Sequence, residues 1–128
     1  SKEIEIVTNF QPDLPEIHCS AHLLDELSMN LIMNAIDASE IGGKIVCSTS
    51  FEKNRIQFSV EDWGHGIRQK DISKVYDPFF TTKEVGKGTG LGLYVVQEIV
   101  LGLGGEIKLS TQIDSGAKFT IHLPTGSQ

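Results

Sequence analysis

Residues 56–66 read Ile56-Gln57-Phe58-Ser59-Val60-Glu61-Asp62-Trp63-Gly64-His65-Gly66. Ile56, Phe58 and Val60 alternate with Gln57, Ser59 and Glu61, the period-two pattern of a strand with one buried face. The same parity puts Asp62 on the apolar side at the end of that strand. An inward carboxylate needs a hydrogen-bond donor. The two glycines that follow let backbone approach a bound molecule closely. An exocyclic amine of a purine would satisfy Asp62. An Asx-type turn ending the strand accounts for the same Asp-x-Gly and is its commoner use.

Upstream, residues 44–51 pair with 55–62 as a hairpin, with Lys53-Asn54 near its turn. Gly42-Gly43 forms a turn. Residues 22–38 form a long apolar helix without Gly or Pro. Residues 11–15, with Pro12 and Pro15, are a loop, and 4–7 a short strand. Downstream, residues 64–90 are loop-rich, with one short helix around 71–75. A second helix runs from about 91 to 101 and is ended by the glycines at 102, 104 and 105. Strands at 106–111 and 117–123 close the chain around Asp114-Ser115-Gly116. This order predicts an α+β domain: a two-layer α/β sandwich whose mixed, mostly antiparallel sheet of about five strands carries three helices on one face. So long a loop in so small a domain is more often functional than structural.

The 128 residues suffice for a single domain, 1–128, with one core. Net charge is −6, so there is no basic footprint for nucleic acid. A polyanion bound here requires locally concentrated positive potential. Cys19 and Cys47 make no ligand pattern and read as buried thiols of a reducing compartment. No apolar run is long enough to span a bilayer, since residues 91–103 are interrupted by Gln97 and Glu98. No signal peptide is visible. An opening at Ser1, almost directly in a strand, reads as a piece cut from a longer protein.

The first helix carries Glu26, Asn30 and Asn34 at four-residue spacing, with Asp37 beside them. They sit among Leu23, Leu27, Leu31, Ile32, Ala35 and Ile36, so much of the helix is expected to be buried. Buried amides and carboxylates are costly without partners. A row of them facing a cleft points to a ligand or a metal as partner. Mg²⁺ fits, because it takes oxygen ligands and needs few protein groups when phosphates also coordinate it. A solvated polar edge of an amphipathic helix explains the stripe equally well. Further on, Gly86-Lys87-Gly88-Thr89-Gly90-Leu91-Gly92-Leu93 runs into the second helix. Exposed backbone N–H groups at a helix N-terminus suit phosphate, and Lys87 and Lys83 add charge. The order fits neither the Walker pattern nor the dinucleotide fingerprint.

These features, in this order, resemble the GHKL superfamily, which includes histidine kinases, DNA gyrase-type ATPases, Hsp90 and MutL. The stretch 26–35 is similar to its N box, and Asp62-Trp63-Gly64-His65-Gly66-Ile67 to its first glycine box. Asp77-Pro78-Phe79-Phe80-Thr81-Thr82-Lys83 resembles the F box of histidine kinases, and Gly88-Thr89-Gly90-Leu91-Gly92-Leu93 the second glycine box. The resemblance covers nearly the whole chain. It implies the Bergerat ATP-binding fold, with a lid over about residues 76–92. It implies that Asn34 coordinates Mg²⁺ with Asn30 beside it near the phosphates, and that Asp37 lies in the same site. Asp62 then accepts from the adenine amino group, with Gly64, Gly66 and Ile67 shaping the pocket. Thr82, Lys83, Lys87, Gly88, Thr89, Gly90, Leu91, Gly92 and Leu93 line the phosphate side, and Asn30, Asn34 and Lys83 assist transfer. Phe79 and Phe80 either anchor the lid, meet the phosphoacceptor domain, or simply fill core. At position 26 this chain has Glu where many members have His.

Position 30 separates the branches. The gyrase-type ATPases resemble one another in placing Glu four residues before the metal-binding Asn, where it activates water. Asn30 cannot act as a general base. The resemblance therefore implies a histidine kinase that holds ATP and Mg²⁺ and passes the γ-phosphoryl to a histidine imidazole. None of His18, His22, His65 and His122 sits in a His-Glu/Asp-x-x-Pro/Asn setting. The acceptor is expected on a separate dimerisation and phosphoacceptor domain of the same kinase, with a response regulator downstream. The expected location is cytoplasmic, without membrane contact by this domain. The competing readings are an anti-sigma serine kinase or ATPase clamp of the same fold, opposed by the F box, and a degenerate interaction module, opposed by Asn34, Asp62 and the box glycines.

Overall fold

A computed structural model describes residues 3–17, 19–80, 92–111 and 115–125. Its elements are β1 (Glu5–Phe10), α1 (Ala21–Ala38), β2 (Lys44–Glu52), β3 (Arg55–Asp62), α2 (Gln69–Ile72), α3 (Gly92–Gly102), β4 (Glu106–Thr111) and β5 (Ala117–Pro124). The strands form one sheet in the order β1-β2-β3-β5-β4. β1 runs parallel to β2, while the other three pairings are antiparallel. A parallel pair needs a crossover, which α1 supplies, whereas β2 and β3 need only a tight turn. At that turn Lys53 and Asn54 take φ of 53° and 63°. Paired left-handed residues match the twist of the flanking strands. The expected mixed sheet, mostly antiparallel and of five strands, is therefore what forms, with three helices.

The sheet buries one face. Leu27, Leu31 and Ala35 of α1, four residues apart, pack with Val96 and Val100 of α3 against Ile45, Cys47, Val60, Phe119, Ile121 and Leu123. These strand residues occupy alternate positions, as the period of two demands. Truncating Leu31, fully buried at the centre, to Ala would cost ~2–5 kcal/mol. On the far side Ser48, Ser50, Gln57, Lys118 and Thr120 line an open polar depression. One packed and one solvated face is the usual solution for an antiparallel sheet.

Local chemistry sets the helix ends. Ser20 Oγ accepts from the Leu23 N–H at 3.2 Å and starts α1. Ser39 Oγ donates to Ala35 O at 2.7 Å where α1 stops. After α3, Gly104 takes φ 78°, its N–H donates to Leu101 O, and the Gly105 N–H donates to Val100 O. This pair of bonds is the Schellman ending, and the left-handed step is why a glycine is there.

Four expectations change. β1 runs to Phe10 rather than residue 7, because its parallel ladder with β2 continues through Phe10↔Thr49. The short helix lies at Gln69–Ile72, earlier than expected, and is followed by turns. Cys47 is buried, but Cys19 is only half-buried; both are free thiols. Phe79 fills no core: it is 72 % exposed and has φ 67°. Phe80 is half-buried. Among the described residues no helix is long and apolar enough to cross a membrane.

Candidate functional site

The inner end of β3 delivers Asp62 to the helix-covered face, as its parity requires. It is only 3 % exposed. Its Oδ1 accepts from the Gly64 N–H at 2.9 Å. The Asx-type turn is thus present, and it leaves the carboxylate buried. Burial pushes the Asp62 pKa above the ordinary carboxylate value. The N–H groups of Gly64 and Ala117 and the His65 ring pull it back, and Glu61 adds to the rise. A buried anion held, among the described residues, by backbone donors gains further from any donor brought to it.

Gly64 lies against the C-terminal end of α1. A Cβ at this position would overlap the carbonyl oxygen of Ala38. The same oxygen accepts from the His65 N–H at 3.2 Å. Gly66 is buried with φ 73°, so its backbone conformation also favours glycine. His65 Nδ1 lies 2.8 Å from Gly66 O. The Ile67 N–H donates to Thr111 Oγ1 at 3.0 Å. The loop after β3 is in this way fastened to α1 at one end and to β4 at the other.

Eight residues back along α1, Asn30 meets the start of α3. A Cβ on Gly92 would stand 3.3 Å from Asn30 Oδ1. Asn30 Nδ2 donates to Glu26 O at 2.9 Å. The Asn30 amide nitrogen thus takes one partner from its own helix, leaving its oxygen towards Gly92. The stripe is also more exposed than expected, with Asn30 and Asn34 half-buried and Glu26 and Asp37 exposed. From Ala38 to Asn30 the helix rises about 12 Å. Asn34 lies midway, so α1 forms one wall from the Asp62 end to the N-terminus of α3.

Among the described residues no three His, Cys, Asp or Glu side chains stand close enough to hold a metal ion. A cation at the Asn34 amide would need phosphate and water oxygens to complete its shell, a donor set that suits Mg²⁺ better than a protein-caged metal. Asn34 and Asn30 both carry neutral amide oxygens on α1.

The structure places Asp62, Gly64, Gly66 and Ile67 together at the C-terminal end of α1, and Asn30 with Gly92 near its middle. Leu93 is half-buried against the core and has a packing role there. Thr82, Lys83, Lys87, Gly88, Thr89, Gly90 and Leu91 lie outside the described residues. The sequence reading missed Ala38 and Ala117, which act through backbone groups that no side-chain pattern announces. It also missed Thr111, which reads as an ordinary strand residue.

Comparison with known proteins gives a consistent result. Residues 20–127 match the model of the family described as histidine kinase-, DNA gyrase B-, and HSP90-like ATPase. The chain is 38 % identical over 124 residues to the sensor histidine kinase ZraS of Escherichia coli K12, covering 97 % of this chain and 26 % of that protein. It is 36 % identical over 138 residues to the sensor kinase CckA of Brucella abortus, covering 96 % of this chain and 15 % of that protein. The chain thus spans a minor part of these relatives. Among solved structures, full-length ShkA in complex with AMPPNP superposes with a TM-score of 0.86 at 26 % identity, over 99 % of this chain and 27 % of that one. A nucleotide-free catalytic domain of the histidine kinase ThkA gives 0.85 at 27 % identity, over 98 % and 81 %.

Proposed function

We infer the function from one premise: the chain belongs to the histidine kinase-, DNA gyrase B-, and HSP90-like ATPase family. We propose that residues 1–128 are the single ATP-binding catalytic domain of a sensor histidine kinase. It presents ATP with Mg²⁺ to a histidine on a separate dimerisation and phosphoacceptor domain, in the cytoplasm, upstream of a response regulator. The observation that carries the reading is the buried Asp62 carboxylate, held among the described residues by the backbone N–H groups of Gly64 and Ala117. The adenine amino group is the donor that completes it. The α1 wall then runs the nucleotide towards Asn34, Asn30 and Gly92, which would hold the phosphates and Mg²⁺. On this reading Thr82, Lys83, Lys87 and the glycines at 88 and 90 belong to the phosphate side, with a lid over about residues 76–92.

Kinase rather than hydrolase chemistry rests on Asn30. An amide has no lone pair basic enough to take a proton from water, and its nitrogen is engaged by Glu26 O. ATP held without a general base keeps its γ-phosphoryl for an incoming imidazole. Bound Mg²⁺ would neutralise charge on the phosphates. This chain's residues hold the base, fix the position of the phosphates and offer neutral ligands to the metal. The likeness to ShkA, which was solved with AMPPNP, supports the nucleotide assignment.

Calorimetric titration with ADP and a non-hydrolysable ATP analogue, with and without Mg²⁺, tests the binding. A purified phosphoacceptor domain added with radiolabelled ATP tests the transfer. Binding with label appearing on the acceptor histidine is expected. Binding accompanied by rapid release of inorganic phosphate and no labelled histidine would favour an ATPase. Absence of binding would reduce the domain to an interaction module.

A further inference from the structure

We propose that Thr111 is a positioning residue of the nucleotide site, its hydroxyl clasping the two backbone segments that hold Asp62. The proposal rests on the nucleotide-binding reading above. The Asp62 carboxylate is held from two sides: by the Gly64 N–H in the loop after β3, and by the Ala117 N–H at the start of β5. Thr111 Oγ1 reaches both segments. It accepts from the Ile67 N–H at 3.0 Å, three residues beyond Gly64, and donates to Gly116 O at 2.8 Å, the residue before Ala117. A hydroxyl has one proton to give and lone pairs to receive, so one group serves both bonds.

The strand register places this clasp. Asp62 pairs with Ala117 on β5, and Ala117 pairs with Thr111 on β4. The three residues form one row across the sheet, and side chains in a row share a face. Thr111 therefore stands on the same inner face as Asp62, with only the methyl of Ala117 between their strands. Gly116, at φ 84°, passes so close that a Cβ there would overlap Asp62 O. With the hydroxyl gone, the Ile67 N–H and the Gly116 carbonyl lose their partner together. The loop that shapes the pocket wall is then released from the sheet, and Asp62 loses its fixed aim.

The test titrates ADP, with and without Mg²⁺, into wild type, Thr111→Val, Thr111→Ser and Asp62→Asn. Val keeps the shape of Thr and removes the hydroxyl, whereas Ser keeps the hydroxyl and removes the methyl. Thr111→Val is expected to weaken ADP about ten-fold by the same factor with and without Mg²⁺, and Thr111→Ser to recover most of that loss. A packing role would leave Ser no better than Val, and that result would overturn the proposal. Wild-type affinity in Thr111→Val, alongside a loss in Asp62→Asn, would overturn the clasp and leave the nucleotide reading standing. No ADP binding by wild type would remove both. Should Thr111→Val not fold, amide exchange decides. An Ile67 N–H protected in wild type and in Thr111→Ser is expected, and one that exchanges freely in wild type overturns the clasp.

Discussion

The amide of Gly64 donates to Oδ1 of Asp62 at 2.9 Å, two residues back across the end of β3. With Ala117 on the other side, this bond commits the carboxylate's protein-facing lone pairs to backbone donors. In Asp62→Asn the single amide oxygen stays with those N–H groups. The NH₂ then turns toward the incoming adenine amine, donor against donor. ADP affinity is expected to fall about 10–100-fold. The fold is not expected to suffer, because burial pushes the Asp62 pKa up and the neutral amide escapes that penalty. A group whose folded pKa exceeds its unfolded value, 3.8, costs stability at neutral pH and recovers it as pH falls through the folded value toward 3.8. Asp62→Asn is therefore at least as stable as wild type at pH 7, with an advantage that shrinks in acid. Melting curves of both proteins across pH 4–7 check this; a gap that widens in acid would contradict the assigned shift.

Two glycine-to-alanine changes separate steric demand from backbone demand. At Gly64 the added methyl overlaps the Ala38 carbonyl, and backbone cannot move aside as a flexible side chain can. Gly64→Ala is expected to cost at least ~2 kcal/mol and to abolish nucleotide binding, because the loop must leave α1. Gly42 has φ 78° with nothing within 4 Å of the new methyl. Gly42→Ala is expected to cost only ~1–2 kcal/mol, the left-handed backbone term, and to leave binding intact. Urea denaturation with ADP titration on each variant measures both effects. Equal costs at the two sites would show that the Ala38 contact is not tight.

What the sequence discloses follows from the range of each signal. The alternation over residues 56–62 and the spacing of Leu27, Leu31 and Ala35 are local, so the strand, the helix and the inward aim of Asp62 can all be read directly. The order β1-β2-β3-β5-β4 cannot, because β5 enters between β3 and β4 through pairings that depend on the assembled sheet. Ala38 O and the Ala117 N–H are invisible for a different reason: every residue carries these groups, and only the fold brings them to the loop after β3. Phe79 looks like core by composition, yet its left-handed backbone sets it outside. The Asn30 amide is polar in a helix, and the sequence does not show that its own helix supplies an acceptor, Glu26 O.

His122 on β5 supplies a pH signature independent of the nucleotide. It is 8 % exposed, and its Nδ1 has no hydrogen-bond partner among the described residues. Burial, then Arg55 and Lys108, hold its pKa below 6.5, against the pull of Glu106 and Glu52. The unfolded chain thus takes up a proton near pH 6.5 while the folded one does not, so stability is lost as pH falls through 6.5 toward the folded value. Arg55 and Glu106, bridged at 2.8 Å, act on the same histidine with opposite signs. His122→Gln should therefore show a smaller drop in melting temperature between pH 7.5 and 5.5 than wild type. An identical drop in both would mean that another group carries the acid sensitivity.

With Mg²⁺ held at Asn34 as proposed, a change there is expected to divide binding from metal use. Asn34 is half-buried midway along the α1 wall, and a helix tolerates alanine there at little cost. In Asn34→Ala, ADP without Mg²⁺ still finds Asp62, so metal-free affinity is expected to stay near wild type. The gain in affinity on adding Mg²⁺ should largely vanish, because a cation with few protein ligands cannot spare one. Transfer to an added phosphoacceptor domain should fall about 100-fold or more, since charge neutralisation at the phosphates is the main catalytic lever available to a site without a base. Titrations with and without Mg²⁺, run beside the transfer assay, keep these effects apart. Loss of metal-free binding would place Asn34 in the nucleotide pocket instead, and unchanged transfer would take the metal away from it.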